Sequence, residues 1–218
     1  MAKKKTIQQS DLIDFYMDYA LTHNHKPKSV YSFAKENNFE EQKFYEFFGN
    51  FEALEQSIFK IFFDHTLIAL EKSDDYQAFD ARNKLLSFYY TFFEILNANR
   101  SYVTYALDSR DKTMASLKVL KQLRASFTAY IGHLDIKTID LKQEQLEKFQ
   151  NKTLQESAWV QLLVTLKFWL DDTSASFEKT DIFIEKSLKT SFDLIDTAPL
   201  KSLIDFGKFL YKEKMQTN

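Results

Sequence analysis

The sequence predicts an all-α protein. Only three of its 218 residues are Gly and two are Pro, the residue types that most often interrupt helices. Leu, Lys, Glu and Phe recur at helical spacings, and no stretch alternates apolar and polar residues as a half-buried strand would. A chain of this length accommodates a small head and a larger body, which we expect at residues 1–50 and 51–218.

Three short helices are expected in the head. The first spans about residues 10–22 with Ser10 as its cap, and the second begins after Ser29, another capping residue. A turn follows at Asn37-Asn38, because Asn tolerates the left-handed backbone that a tight turn needs. The third helix spans about residues 39–48. Its aromatic side chains at helical spacing form a face that can pack: Phe44, Phe47 and Phe48.

The rest of the chain is expected to form longer helices separated by polar breaks. A helix over about residues 51–71, opening after Gly49-Asn50, has the length of a strut between head and body. Further helices are expected over about 77–97, 101–109, 112–134, 141–170, a segment from Ile184 to Ile195, and a last helix from Pro199. The pairs Asp74-Asp75 and Asp171-Asp172 fall in the breaks, where acidic residues cap helices rather than bind metal.

The order of residues over about 29–54 resembles that of the TetR family of transcriptional regulators. The matching positions run without a gap: Phe33-Ala34, Asn37-Asn38, Phe39, Phe44-Tyr45, Phe48 and Glu52-Ala53-Leu54. The resemblance implies a helix-turn-helix head that binds operator DNA and a helical body that binds an apolar or aromatic small-molecule effector. It also implies a homodimer and a ligand-responsive regulator that acts as a repressor.

The DNA contacts that the resemblance implies fall at the start of the second helix and on the third. Ser29 heads a helix whose free N–H groups favour an anion, and the phenol of Tyr45 can reach a phosphate. Lysines flank that helix start, and another lies on the third helix. The expected DNA-binding residues are Lys26, Lys28, Ser29, Gln42, Lys43 and Tyr45.

The charge of the head leaves a second interpretation open. Residues 10–54 contain four Lys, no Arg and eight acidic residues, a net charge of −4. Phosphate neutralisation supplies most non-specific DNA affinity, so an acidic head opposes DNA binding. Phe51 also stands where the family usually has a basic residue. The alternative is a TetR-like fold that does not bind DNA and serves as a lipid-binding, isoprenoid-binding or protein-interaction module.

An uncharged stretch from Leu85 to Phe93 is apolar around the whole circumference of a helix, so other helices must surround it. It is either a core helix or, as the resemblance implies, also a wall of the effector cavity, with hydroxyls inside an apolar pocket. His65 is either a hydrogen-bonded core histidine or part of that region. The expected pocket residues are His65, Tyr89, Tyr90, Phe92, Phe93 and Tyr105.

Two apolar helices late in the chain are candidates for the dimer seam. Their apolar stripes lie around residues 159–169 and 184–195. The same stripes would serve equally well for packing within one chain. Helix-turn-helix proteins read two half-sites through two-fold symmetry, which favours the dimer.

No catalytic site, metal site or cofactor is expected. The chain has no Cys, no phosphate-binding Gly-rich loop and no His-Glu-x-x-His motif, and His23 and His25 form a pair without a third ligand. No apolar run approaches the ~18 residues of a membrane span, and no secretory signal follows the N-terminal lysines. We therefore expect a soluble cytoplasmic protein and no enzyme.

Overall fold

The structure is a computed structural model that describes residues 7–107, 117–136 and 144–195. Within these ranges every regular element is a helix, which confirms the predicted all-α fold. The α-helices are α1 (Gln9–His23), α2 (Val30–Glu36), α3 (Glu41–Phe47), α4 (Phe51–Glu71), α5 (Asp74–Ala78), α6 (Ala81–Ala98), α7 (Arg100–Leu107), α8 (Lys121–His133), α9 (Glu144–Asp171) and α10 (Glu178–Ile195). The predicted helix from Pro199 lies outside the described residues, as do the predicted helix starts at 112 and 141.

The first helix starts one residue earlier than predicted. Its N-cap is Gln8, whose backbone N–H donates to the carboxylate of Asp11 at 2.8 Å. Ser10, the predicted cap, lies inside α1 and is exposed. For locating the start of α1, Asp11 at the third helical position is a better guide than Ser10, because its carboxylate reaches back to the free N–H group of the N-cap residue.

The single helix predicted over residues 77–97 is two helices, α5 and α6. The break lies at Phe79-Asp80, where the carboxylate of Asp80 accepts a hydrogen bond from the N–H of Asn83 at 2.8 Å. This bond caps the first turn of α6. The hydroxyls of Tyr76 and Tyr130 are 2.8 Å apart, so α5 is held to α8 by a hydrogen bond between two tyrosines.

The chain divides into two compact units. One comprises Met1–Leu70 and Thr91–Phe127, and the other comprises Glu71–Tyr90 and Thr128–Asn218. Helices α6 and α8 each begin in one unit and end in the other. A head and body divided at residue 50 stays a prediction.

The core of α1 to α3 is aromatic and centres on Phe33, which is fully buried. The ring of Phe33 makes edge-on contacts with Phe39, Phe44 and Phe51, at centroid distances of 5.6, 6.3 and 5.5 Å. Edge-to-face pairs of this kind add to the stabilisation from apolar burial. The three short helices are therefore stabilised by packing against one cluster of aromatic rings, and not by their own hydrogen bonds alone.

Helices α9 and α10 pack against each other in opposite directions. Phe168 stacks on Phe183 at 4.5 Å between centroids, and the side chain of Gln161 bonds those of Ser187 and Ser191 at 3.3 and 3.0 Å. None of the described helices, the 28-residue α9 included, is both long and apolar enough to cross a membrane.

Asp172 makes the connection between α9 and α10. Its buried carboxylate accepts hydrogen bonds from the N–H and hydroxyl of Ser174, at 2.8 and 2.7 Å, and from those of Thr180, at 3.0 and 2.7 Å. Burial raises the pKa of Asp172, but these four bonds outweigh burial and lower it to about 2. The residue caps a helix, as the sequence predicts for this acidic pair.

Asp172→Asn is expected to lower the melting temperature at neutral pH, because the amide cannot accept all four hydrogen bonds. The folded pKa lies below the ordinary value of 3.8, so the carboxylate stabilises the fold above that value. This stabilisation is lost as the pH falls through about 2. Thermal unfolding followed by circular dichroism between neutral and acidic pH checks this. Asp171→Asn, which alters the exposed neighbour, is the control, and an equal loss in both variants would contradict the assignment.

Candidate nucleic-acid interface

The turn between α2 and α3 has the geometry that the sequence predicts. Asn38 adopts the left-handed conformation with φ 56°, and the N–H of Phe39 donates to the carbonyl of Ala34 at 3.0 Å. Ser29 caps α2 by accepting a hydrogen bond from the N–H of Ser32 at 3.1 Å. The residues from Ser29 to Phe39 therefore form a helix, a tight turn and the approach to a second helix.

The end of α3 corrects one predicted packing residue. Phe44 and Phe48 are buried, whereas Phe47 is 40% exposed. The helix stops at Phe47, and the extended backbone of Phe48 (φ −137°, ψ 132°) turns that ring into the core instead. Tyr31 and Tyr45 are also exposed, by 62% and 53%, so the surface of α2 and α3 carries three aromatic rings.

Lys43, the predicted DNA contact on α3, is paired with an acid on the same helix. Its ammonium lies 2.7 and 2.9 Å from the two carboxylate oxygens of Glu46. The hydroxyl of Tyr45 likewise donates to Glu41, at 3.4 Å. Both acids lie one helical turn from their partners, a spacing from which the sequence could have predicted the pairs.

Lys26 is held by an acid that lies far away in the sequence. Its ammonium is 2.7 Å from Oε2 of Glu55, whose side chain is 5% exposed. The hydroxyl of Tyr16 donates to the other oxygen, Oε1, of Glu55. Burial and then the charge of Glu55 raise the pKa of Tyr16 well above its usual range, so Tyr16 is a stable donor. Sequence analysis missed Glu55, because a pair separated by 29 residues leaves no local pattern.

The other predicted DNA-binding residues are exposed. Lys28 and Ser29 lie at the N-terminal end of α2, and Gln42 lies on the first turn of α3. Together with Tyr45 they form the accessible part of the predicted interface. Lys26 and Lys43 belong to it only if they exchange their carboxylate partners for phosphate.

The predicted effector residues differ in burial. Tyr89, Phe92 and Phe93 on α6 are almost fully buried, and Tyr105 on α7 is half-buried. Tyr90 is 37% exposed, so α6 is not enclosed on every side, and His65 is exposed, which makes its interpretation as a core histidine wrong. Burial raises the pKa of Tyr89, which keeps its hydroxyl protonated and able to donate.

A family model described as tetracyclin repressor-like, C-terminal domain, matches residues 84–210, more than half of the chain. The chain belongs to the TetR family. The matched segment begins within α6 and does not include α2 and α3, where the helix-turn-helix resemblance lies. No curated protein matches the chain.

Within the segment that matches the TetR-type domain, α9 and α10 present an apolar face. Val160, Val164 and Phe168 follow one another at four-residue spacing on α9 and are 56%, 50% and 37% exposed. An open groove of about 620 Å³ lies beside them, and none of the predicted effector residues lines it. Its lining consists of Phe168, Lys179, Ile182, Phe183, Lys186, Ser187, Thr190 and Ser191.

Proposed function

We propose that the protein is a homodimeric, ligand-responsive DNA-binding regulator of the TetR family that represses transcription in the cytoplasm. The observation that carries the proposal is the helix, left-handed turn and helix formed by α2 and α3 in a chain with a TetR-type C-terminal domain. In a helix-turn-helix the second of these helices enters the major groove. Gln42 and Tyr45 on α3 are exposed for that role.

Lys43 joins the interface by exchanging Glu46 for a DNA phosphate. Both side chains are close to half exposed, at 41% and 43%. An exposed ion pair at this spacing contributes only about 0–1 kcal/mol. Since phosphate contacts release counterions and supply much of the affinity for DNA, the exchange is favourable at low salt. Lys28 and the capped start of α2 provide further phosphate contacts.

Glu46→Gln is expected to tighten DNA binding about three- to tenfold, because it frees Lys43 and removes a negative charge that faces the phosphates. Lys43→Glu is expected to abolish binding. Fluorescence anisotropy on labelled DNA from the protein's own upstream region, compared with a scrambled duplex at low and physiological salt, checks both. Glu94→Gln, the same charge change at an exposed site on α6, is the control. Equal affinities for wild type, Lys43→Glu and Glu46→Gln would remove α3 as the reading helix.

The effector proposed for the body is an apolar or aromatic small molecule. Support comes from the TetR-type domain over residues 84–210 and from Tyr89, Phe92 and Phe93 on α6, which combine an aromatic environment with a hydroxyl. Such a combination is typical of small-molecule sites. The effector changes DNA affinity only to the extent that it binds the two conformational states differently.

The homodimer is proposed to form through the face of α9 and α10 that carries Val160, Val164 and Phe168. Three exposed apolar residues in a row are unusual for a helix that faces only water. A second copy related by a two-fold axis would cover this stripe and fill the groove next to it. Two heads related by the same axis can then read two half-sites.

The alternative function is a TetR-like module that binds a lipid or isoprenoid, or a protein, and does not bind DNA. The pairing of Lys26 and Lys43 with acids, within a segment (residues 10–54) of net charge −4, favours it. Absence of sequence-selective anisotropy change, together with an apolar compound found by mass spectrometry in the denatured protein, would support the lipid-binding version.

A further inference from the structure

Glu55 is a buried carboxylate with one donor on each oxygen. Tyr16 on α1 bonds Oε1, and Lys26, in the segment between α1 and α2, bonds Oε2. The side chain of Glu55 is 5% exposed, whereas that of Lys26 is 57% exposed. A buried charge without a partner is costly, so Lys26 cannot turn toward DNA unless another donor replaces it at Glu55.

Tyr102 on α7 has the properties of that other donor. Its side chain is 1% exposed, and its hydroxyl has no hydrogen-bond partner in the part of the chain that the structure describes. The ring of Tyr102 lies 6.5 Å from that of Phe59, which follows Glu55 by one helical turn on α4. Burial and then the negative charge of Glu55 raise the pKa of Tyr102, as expected for a phenol on this side of α4. Within the first compact unit, α7 packs against α1, the helix that carries Tyr16. A buried phenol that lacks an acceptor therefore lies close to a buried carboxylate.

We propose that Tyr102 is a positioning residue that takes the place of Lys26 as a donor to Glu55 when Lys26 binds a DNA phosphate. This inference rests on the proposed DNA-binding function. In the state described, Lys26 neutralises Glu55 and the phenol of Tyr102 is unpaired. In the DNA-bound state, Tyr16 and Tyr102 both donate to Glu55, which keeps the carboxylate hydrogen-bonded after its cation has left.

The exchange links the TetR-type segment to the start of the helix-turn-helix. Tyr102 lies within the TetR-type segment, residues 84–210, whereas Lys26 precedes α2. A displacement of α7 that moves Tyr102 toward Glu55 favours release of Lys26, and DNA that holds Lys26 favours that displacement. By linkage, the displacement of α7 strengthens DNA binding by the same factor by which bound DNA favours the displacement.

Tyr102→Phe removes only the hydroxyl and is the decisive variant. It is expected to weaken DNA binding about tenfold in the wild-type background, the value of one hydrogen bond to a charged group. In a Lys26→Met background it is expected to have no effect, since no cation leaves Glu55. Tyr76→Phe, which removes the hydroxyl of a buried tyrosine in the other compact unit, is the matched control. Equal losses from Tyr102→Phe in both backgrounds would indicate a merely structural role and overturn the exchange.

A second readout needs no DNA. Acetylation of the free protein with an amine-reactive ester, followed by mass spectrometry, gives the rate for Lys26 relative to Lys28. Because Lys26 reacts through its released state, Tyr102→Phe is expected to slow it about tenfold, while Glu55→Gln accelerates it. An unchanged acetylation rate of Lys26 in Tyr102→Phe would overturn the exchange, independently of the DNA-binding result. A slowed rate in a protein that binds no DNA would remove the proposed function and leave the exchange standing.

Discussion

Glu55→Ala is expected to lower the free energy of unfolding by about 3 kcal/mol, the combined effect of a cavity and an unsatisfied buried hydroxyl. The hydroxyl is that of Tyr16, which is fully buried and donates to Glu55. Lys26 loses little, since water reaches its half-exposed side chain. Urea unfolding followed by tryptophan fluorescence and circular dichroism measures the change. Glu52→Ala, an exposed carboxylate on the same helix, is expected to lie within about 0.5 kcal/mol of wild type.

A triple variant distinguishes the effect of losing the polar groups of Tyr16, Lys26 and Glu55 from the effect of losing side-chain volume. Tyr16→Phe, Lys26→Met and Glu55→Leu together remove all three polar groups and leave apolar side chains of similar size. Replacing a buried ionic group by apolar residues is often neutral or stabilising, so the triple variant is expected to regain most of the loss. A triple variant as unstable as Glu55→Ala would show that shape, and not pairing, governs this site.

Val164→Glu is expected to convert the proposed dimer to a monomer at micromolar concentration. A two-fold seam repeats every contact, so the substitution places two carboxylates in one apolar interface. Each buried, unpaired charge costs several kcal/mol, which exceeds what a small apolar face contributes. Sedimentation velocity of wild type and variant over a range of concentrations gives the association constant. Leu21→Glu, at an exposed apolar residue of α1, is the control.

Two results would contradict the seam proposed on α9 and α10. A Val164→Glu protein that dimerises as tightly as wild type would place the interface elsewhere. A wild-type protein that stays monomeric at high concentration would remove the homodimer itself, and with it the two-fold reading of operator half-sites.

Local signals in the sequence were enough to predict most helices. The predicted bounds of α4 agree with the structure because Asn50 caps it, accepting from the N–H of Ala53 at 2.8 Å. The turn at Asn38 follows from the tolerance of Asn for left-handed backbone. The break between α5 and α6 was missed, since the cap at Asp80 lies inside a stretch whose apolar spacing looks continuous.

The long-range contacts of the candidate site were not predictable from the sequence, unlike the pairs of Lys43 and Tyr45 with acids one helical turn away. Helical spacing could not decide between Phe47 and Phe48, because the choice depends on where the backbone leaves α3. The sequence predicts Lys26 as a DNA contact from its place before α2, whereas its partner Glu55 comes from α4 and depends on tertiary packing. Tyr102 gave no signal at all, since an unsatisfied hydroxyl is a property of the folded core.

The interleaving of the two compact units has a consequence for how the chain is made. The polypeptide leaves the first unit after Leu70, contributes Glu71–Tyr90 to the second, and returns to the first at Thr91. The first unit cannot acquire α7 until the ribosome has released residues well beyond α6. A growing chain that carries only α1 to α4 therefore holds Glu55 without the helix of Tyr102, and no single proteolytic cut releases either unit whole.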